Sequence, residues 1–194
     1  MSTKEELPHY SLLIDGATDE GTTKERFSSI NPHTGKVWAT FSVANNKDVS
    51  RAVSVAKQSL NNSDWANMLP TDRGKLLFRL ADLIELRASD IGAIETNDSG
   101  KLLVETVTQT KYVADYYRYY AGLADKLEGA TLPIDKSDMH VYTTCEPIGV
   151  VAAVVPWNAQ MFLTATKLAP ALAAGCAVIV KASEIAPCAL LYFG

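Results

Sequence analysis

The stretch VVPWNAQMF, residues 154–162, places one amide, Asn158, between two apolar runs. A buried amide without partners costs about 1–3 kcal/mol, so Asn158 must find hydrogen bonds. Two uses compete. As the N-cap of a helix beginning near residue 160 it accepts a backbone N–H, a role asparagine fills well. Alternatively its NH2 points into a crevice and donates to an oxygen that gains negative charge, where a fixed donor is worth about 3–4 kcal/mol. A second polar cluster follows at KASE, residues 181–184. The charge of Lys181 suits a phosphate or a ribose hydroxyl, or simply solvent. Ser183 reads as an N-cap, with Glu184 favoured by the positive end of the helix that would follow.

The elements around these clusters decide whether they can meet. IGVVAAVV, residues 148–155, is a near-continuous apolar run, as expected for a parallel strand covered on both faces. A helical pattern over Gln160 to Ala174 follows, then Gly175 as a terminator and a second strand, CAVIV, at 176–180. This is a βαβ unit. Parallel crossovers are right-handed and ligands bind outside the carboxyl ends of such strands, so residues 156–158 and 181–184 are predicted to share one rim. Neither GxGxxG nor GxxxxGK[ST] occurs, so the usual nucleotide fingerprints are silent.

Upstream, residues 11–44 read as short strands with turn signals at Asp15-Gly16 and at Pro32 to Gly35. Val49, Ala52, Val53 and Ala56 recur at helical spacing until the polar NNSD at 61–64. Pro70-Thr71-Asp72 starts a further helix, whose predicted apolar face is Leu76, Leu77, Leu80, Leu83 and Ile84. Another helix is predicted over Asp90 to Thr96. Past Gly100, TKYVADYYRYYAGLADKL reads as a helix with its tyrosines along a buried seam. MHVYTTC, residues 139–145, alternates as a half-exposed strand, and strands of this kind can pair across subunits.

With 47% hydrophobic and 21% charged residues, the 194-residue chain has enough apolar surface for a sizeable core. A net charge of -4 gives no reason to expect nucleic acid or an anionic membrane as partner. The polar, acidic opening MSTKEELPHY has neither a secretory nor a mitochondrial targeting pattern, which points to the cytoplasm. Cys145, Cys176 and Cys188 each lie in apolar company without CxxC spacing and read as reduced structural thiols. His9, His33 and His140 are too scattered for a metal site, and none is predicted.

EPIGVVAAVVPWNAQMFLTATKLAPALAAGCAVIVKASEIAP resembles the central signature of the NAD(P)-dependent aldehyde dehydrogenase superfamily. INPHTGKV, TDRGKLLFRLADLIE, NDSGK and YYRYYAGLADK extend the resemblance over nearly the whole chain from about Leu13. It implies an α/β chain forming the amino-terminal part of that fold: helices, an incomplete Rossmann-like parallel sheet and a β oligomerisation strand. The corresponding segments are a tail at 1–10, a β edge with helices at 11–130, the oligomerisation segment at 131–147 and the start of the βαβ unit at 148–194. By the same resemblance the catalytic domain is expected to lie outside these residues.

The reaction implied is oxidation of an aldehyde to a carboxylic acid through a cysteine thiohemiacetal, with hydride passing to the cofactor and a glutamate assisting hydrolysis. By the same resemblance Asn158 is the oxyanion donor, and Val154, Val155, Pro156, Trp157, Lys181, Ser183 and Glu184 form the cofactor side. Lys181 then serves the adenosine ribose and Glu184 its two hydroxyls. NAD is the expected cofactor and NADP the alternative. Ala159, Phe162 and Thr166 are expected to border the aldehyde tunnel. The partner copies are expected to form a homodimer or homotetramer. The nucleophile and general base of the family are expected downstream of residue 194, which leaves the chain alone inactive. The other functional readings are a short nucleotide- or partner-binding protein and a CoA-acylating relative. Glu146-Pro147 and KASE weigh against the latter, being typical of hydrolytic members.

Overall fold

The computed structural model describes residues 6–61 and 63–194. The opening MSTKE and residue 62 of the NNSD segment lie outside the described residues. The amino-terminal part is a small β edge. β1 (His9–Tyr10) lies parallel to β5 (Lys36–Ser42), and β4 (Arg26–Asn31) pairs antiparallel on the other side of β5. β2 (Leu12–Ile14) and β3 (Ala17–Asp19) form a separate hairpin whose turn holds Asp15 and Gly16 at positive φ. The edge therefore begins at His9, where Nδ1 meets the Thr40 hydroxyl at 2.9 Å, inside the segment expected to be a tail.

α1 (Asn46–Ser59) starts at a capping box. The Asn45 side chain accepts from the Lys47 and Asp48 amides, and Asp48 reaches back to the Asn45 amide at 3.0 Å. Such caps contribute about 1 kcal/mol. α2 (Pro70–Leu86) begins on its proline, whose missing N–H needs no partner there. Its buried stripe is Gly74, Leu77, Ala81 and Ile84; Leu76 and Leu83 of the predicted face are exposed instead. The leucine-rich segment 76–84 offers two apolar stripes, and the small Gly74 and Ala81 decide which one approaches α4 closely.

α3 (Ala88–Ser99) is longer than predicted and ends at Gly100 in the left-handed region. α4 (Leu103–Leu123) starts a full two turns before the tyrosine-rich segment. It buries Thr106, Thr110, Val113, Ala114, Tyr117 and Ala121, whereas Tyr112 and Tyr119 are exposed. The two helices approach so closely at Gly92 that a Cβ there would sit 2.8 Å from the Val107 amide nitrogen and 2.9 Å from its Cα. No rotamer relieves a clash with backbone. Gly92→Ala is therefore expected to destabilise the protein by about 1–3 kcal/mol despite alanine's better helix propensity. Thermal unfolding of the variant checks this; an unchanged or raised Tm would contradict it.

Charged residues of the conspicuous motifs are used inside this framework. In NDSGK, Asp98 accepts from the Ser29 hydroxyl at 2.5 Å and the Cys188 amide at 2.7 Å, and burial pushes its carboxyl above the usual range. Lys101 Nζ meets the buried Glu95 at 2.9 Å. Arg73 of TDRGK donates to the carbonyls of Met68 and Ala173, the latter at the carboxyl end of α5 (Gln160–Ala173). That bond satisfies one of the last-turn carbonyls a helix leaves unpaired.

MHVYTTC forms a strand only at β7 (Val141–Tyr142), and it has an internal partner, β6 (Thr131–Leu132), with Leu132 opposite Val141. β8 (Val150–Val154), α5 and β9 (Ala177–Lys181) make the predicted parallel crossover, and α6 (Cys188–Phe193) follows. The main core joins α2, α4, α5 and α6 through residues such as Leu77, Ile84, Tyr117, Met161, Ala165 and Leu190. Among the described residues no helix is long and apolar enough to cross a membrane.

Candidate active site rim

Parallel pairing of β8 and β9 runs in unbroken register from Val150 opposite Ala177 to Val154 opposite Lys181. One further ladder bond, from the Val155 amide to the Lys181 carbonyl at 3.1 Å, carries the pairing past the end of both strands. Both chains then leave the sheet from the same edge, 155–159 toward α5 and 182–187 toward α6. This is the rim at the carboxyl ends of parallel strands where α/β sheets bind ligands.

Side chains on the rim divide by burial. Val155 is 2% exposed and anchors its loop in the core, while Val154 and Trp157 are 64% and 48% exposed and offer apolar surface. Pro156 and Asn158 are exposed. The N-cap residue of α5 is Ala159, at φ −155° and ψ 65°, and no side chain caps this helix. Asn158 therefore does not cap α5. Among the described residues its side chain makes no hydrogen bond, and the residue is exposed.

Across the rim, Lys181 Nζ meets the Glu184 carboxylate at 2.8 Å and holds that carboxyl below its usual range. Ser183 is buried and accepts from the Ile185 amide at 3.3 Å. This is a tight local turn and not the helix cap expected from sequence; α6 starts five residues later, at Cys188, without a side-chain cap. Ser183 thus shapes the loop on which Glu184 is displayed.

Ala159, Phe162 and Thr166 occupy the first turns of α5, all half-buried. Thr166 donates to the Leu163 carbonyl of its own helix at 2.9 Å. Phe162 packs against two α4 tyrosines that sequence reasoning did not connect with it, Tyr112 and Tyr116, at ring-centroid distances of 6.0 and 6.2 Å. Tyr112 also lines a shallow concavity of about 520 Å³ with Val104, Glu105, Thr108 and Gln109. The only sequence signal was the run of tyrosines, whose exposed members are as informative as the buried one.

None of the three thiols reaches the rim as a nucleophile. Cys176 is buried and precedes β9, so it lies at the opposite end of the strand from Lys181, roughly 16 Å away at about 3.3 Å per residue. Cys188 is buried, and its thiol is pushed up by burial and by Asp98. Cys145 is exposed, contrary to the expectation of an apolar setting, with Sγ 3.3 Å from the Glu128 carbonyl beside the β6–β7 hairpin.

The aldehyde dehydrogenase family pattern matches residues 18–194, and the chain belongs to that family. Its fold is the amino-terminal part of the aldehyde dehydrogenase fold. Among its relatives, the (Z)-2-((N-methylformamido)methylene)-5-hydroxybutyrolactone dehydrogenase of Acinetobacter baylyi is 51% identical over 187 residues, 96% of this chain and 38% of that protein. The mitochondrial aldehyde dehydrogenase of Rattus norvegicus is 40% identical over 183 residues, 93% of this chain and 35% of that protein. Aldehyde dehydrogenase from Bacillus cereus superimposes with a TM-score of 0.93 at 33% identity, over 95% of this chain and 38% of that one. Betaine aldehyde dehydrogenase from Staphylococcus aureus, solved in complex with NAD+, gives 0.91 at 32% identity, over 95% and 37%. The chain thus spans well under half the length of the proteins it matches.

Proposed function

We propose that these residues form the cofactor-side part of a longer enzyme that oxidises an aldehyde to a carboxylic acid with NAD. The observation that carries this is the Val154–Lys181 register, which brings Asn158, Lys181 and Glu184 to one edge of the sheet. The rim suits an adenine dinucleotide. Glu184 offers two acceptor oxygens to a vicinal diol, the neighbouring Lys181 offers donors, and Val154 and Trp157 supply an apolar wall. When bound, the nicotinamide supplies the hydride acceptor.

The chain's own residues bind and orient. Asn158, uncommitted to its helix, donates to the oxygen of the aldehyde carbon as a thiolate adds to it, where a preorganised donor acts most strongly. The thiolate comes from residues outside these 194, because the thiols present are buried or remote from the rim. The exposed β6–β7 hairpin serves as the arm that joins copies of the enzyme, with Tyr142 available on its outer side. The test is NADH formation from an aldehyde and NAD by the full-length protein and by the 194-residue chain. Turnover is expected only from the former; turnover by the chain alone would overturn this division of roles.

Ala159, Phe162 and the nearby Tyr112 are proposed to flank the aldehyde's path. A small residue at 159 leaves room beside Phe162, which suits bulky or branched aldehydes. Ala159→Phe is expected to shift kcat/KM toward small aldehydes by roughly 10- to 100-fold, the range a few methylenes' worth of pocket volume commands. An unchanged substrate profile would remove residue 159 from the path.

A further inference from the structure

Gln160, the first residue of α5, is completely buried, an unusual place for an amide. Its Nε2 donates to the Ala186 carbonyl at 3.2 Å, while its Oε1 has no partner. A methionine of similar length would fill the space without leaving an acceptor unpaired. The amide is therefore explained by the bond it makes, and that bond joins the two rim loops. Gln160 lies two residues past Asn158, and Ala186 two residues past Glu184. Beyond the ladder bond at Val155, it is the only hydrogen bond between 155–160 and 181–187 among the described residues.

Apart from this bond, the loop is hydrogen-bonded to the rest of the described structure only at its ends, although Ser183 and Ala186 within it are buried. Lys181 is fixed by the ladder and Cys188 by its amide bond to Asp98. Between them, Glu184 and Ile185 are exposed. Between those ends a single buried hydrogen bond ties the Glu184 loop to the segment that carries Asn158.

We infer that Gln160 is a positioning residue whose bond to the Ala186 carbonyl couples the placement of Asn158 to that of Glu184. The inference rests on the functional reading above for the roles of those two residues. Asn158 needs to be placed to within a fraction of an ångström to act on a developing oxyanion. Glu184 needs its loop at a fixed height to accept from a diol. One amide sets both.

The test is a cycle in the full-length enzyme with Gln160→Met, Asn158→Ala and both together, reading kcat and the equilibrium Kd for NAD from intrinsic tryptophan fluorescence. Gln160→Met alone is expected to lower kcat about tenfold and raise Kd about fivefold, given the sensitivity of rates to small misplacements. In the Asn158→Ala background it should lower kcat by less than twofold, because no amide remains to misplace, while the Kd shift persists. A tenfold loss of kcat in both backgrounds, or an unchanged Kd, overturns the coupling. Gln160→Asn keeps an amide too short to reach Ala186 and should behave as Gln160→Met; wild-type values in that variant overturn it as well. If Asn158→Ala alone leaves kcat intact, the oxyanion role falls, and the Kd arm then decides the link to Glu184 by itself.

Discussion

Asn158→Ala in the full-length enzyme is expected to lower kcat by about 10² to 10³ while NAD affinity changes little. The magnitude follows from what the bond does. A donor held in place before the reaction contributes most when the carbonyl oxygen carries charge, and about 3–4 kcal/mol of barrier corresponds to that loss in rate. Stability should not follow, because Ala159 occupies the N-cap position and the Asn158 side chain makes no cap bond. A Tm within about a degree of the parent is the expected companion result, since surface changes away from structural bonds stay within about 0.5 kcal/mol. Asn158→Asp should be at least as harmful to kcat, as it replaces a donor by a charge of the wrong sign. A variant that loses stability and keeps kcat would return Asn158 to a purely structural role.

Glu184 carries the second large expectation, a preference for NAD over NADP. A carboxylate that accepts from both ribose hydroxyls repels a 2'-phosphate placed on one of them. Lys181, 2.8 Å away, is engaged with Glu184 and so cannot fully serve the phosphate. Glu184→Gln removes the repulsion and frees Lys181 at once. The ratio of kcat/KM for NADP to that for NAD is then expected to rise by roughly 10- to 100-fold, since each 1.4 kcal/mol of differential interaction is about tenfold. Measuring both cofactors in parent and variant decides it. An unchanged ratio would mean that Glu184 does not face the ribose.

The crossover unit was legible in the sequence because its signals agree: an apolar run, a helical pattern, Gly175 and a second apolar run. Its rim followed from topology alone. What the sequence did not convey were choices made by packing. Leu76 and Leu83 fit the same helical period as Leu77 and Ile84, and only the closeness of α2 to α4 selects between the stripes. α4 starts at Leu103 without a side-chain cap, so no local signal marked its beginning. Asn158 and Ser183 both had the composition of caps, yet neither is one, because the backbone turns one residue later in the first case and into a tight local turn in the second. Gln160 read as the start of its helix, beside the expected aldehyde tunnel; its bond to Ala186 was not legible, since only the folded chain brings the two together.

The most direct measurement is amide hydrogen exchange of the full-length protein with and without NAD. Binding at the carboxyl ends of β8 and β9 should slow exchange in residues 154–160 and 181–187 together, because the two loops share one ligand and one buried link. Exchange around the β2–β3 hairpin and the amino end of α1 should not change. Protection confined to those amino-terminal elements, or none at 154–160 and 181–187 at saturating NAD, would contradict the placement of the cofactor on this rim.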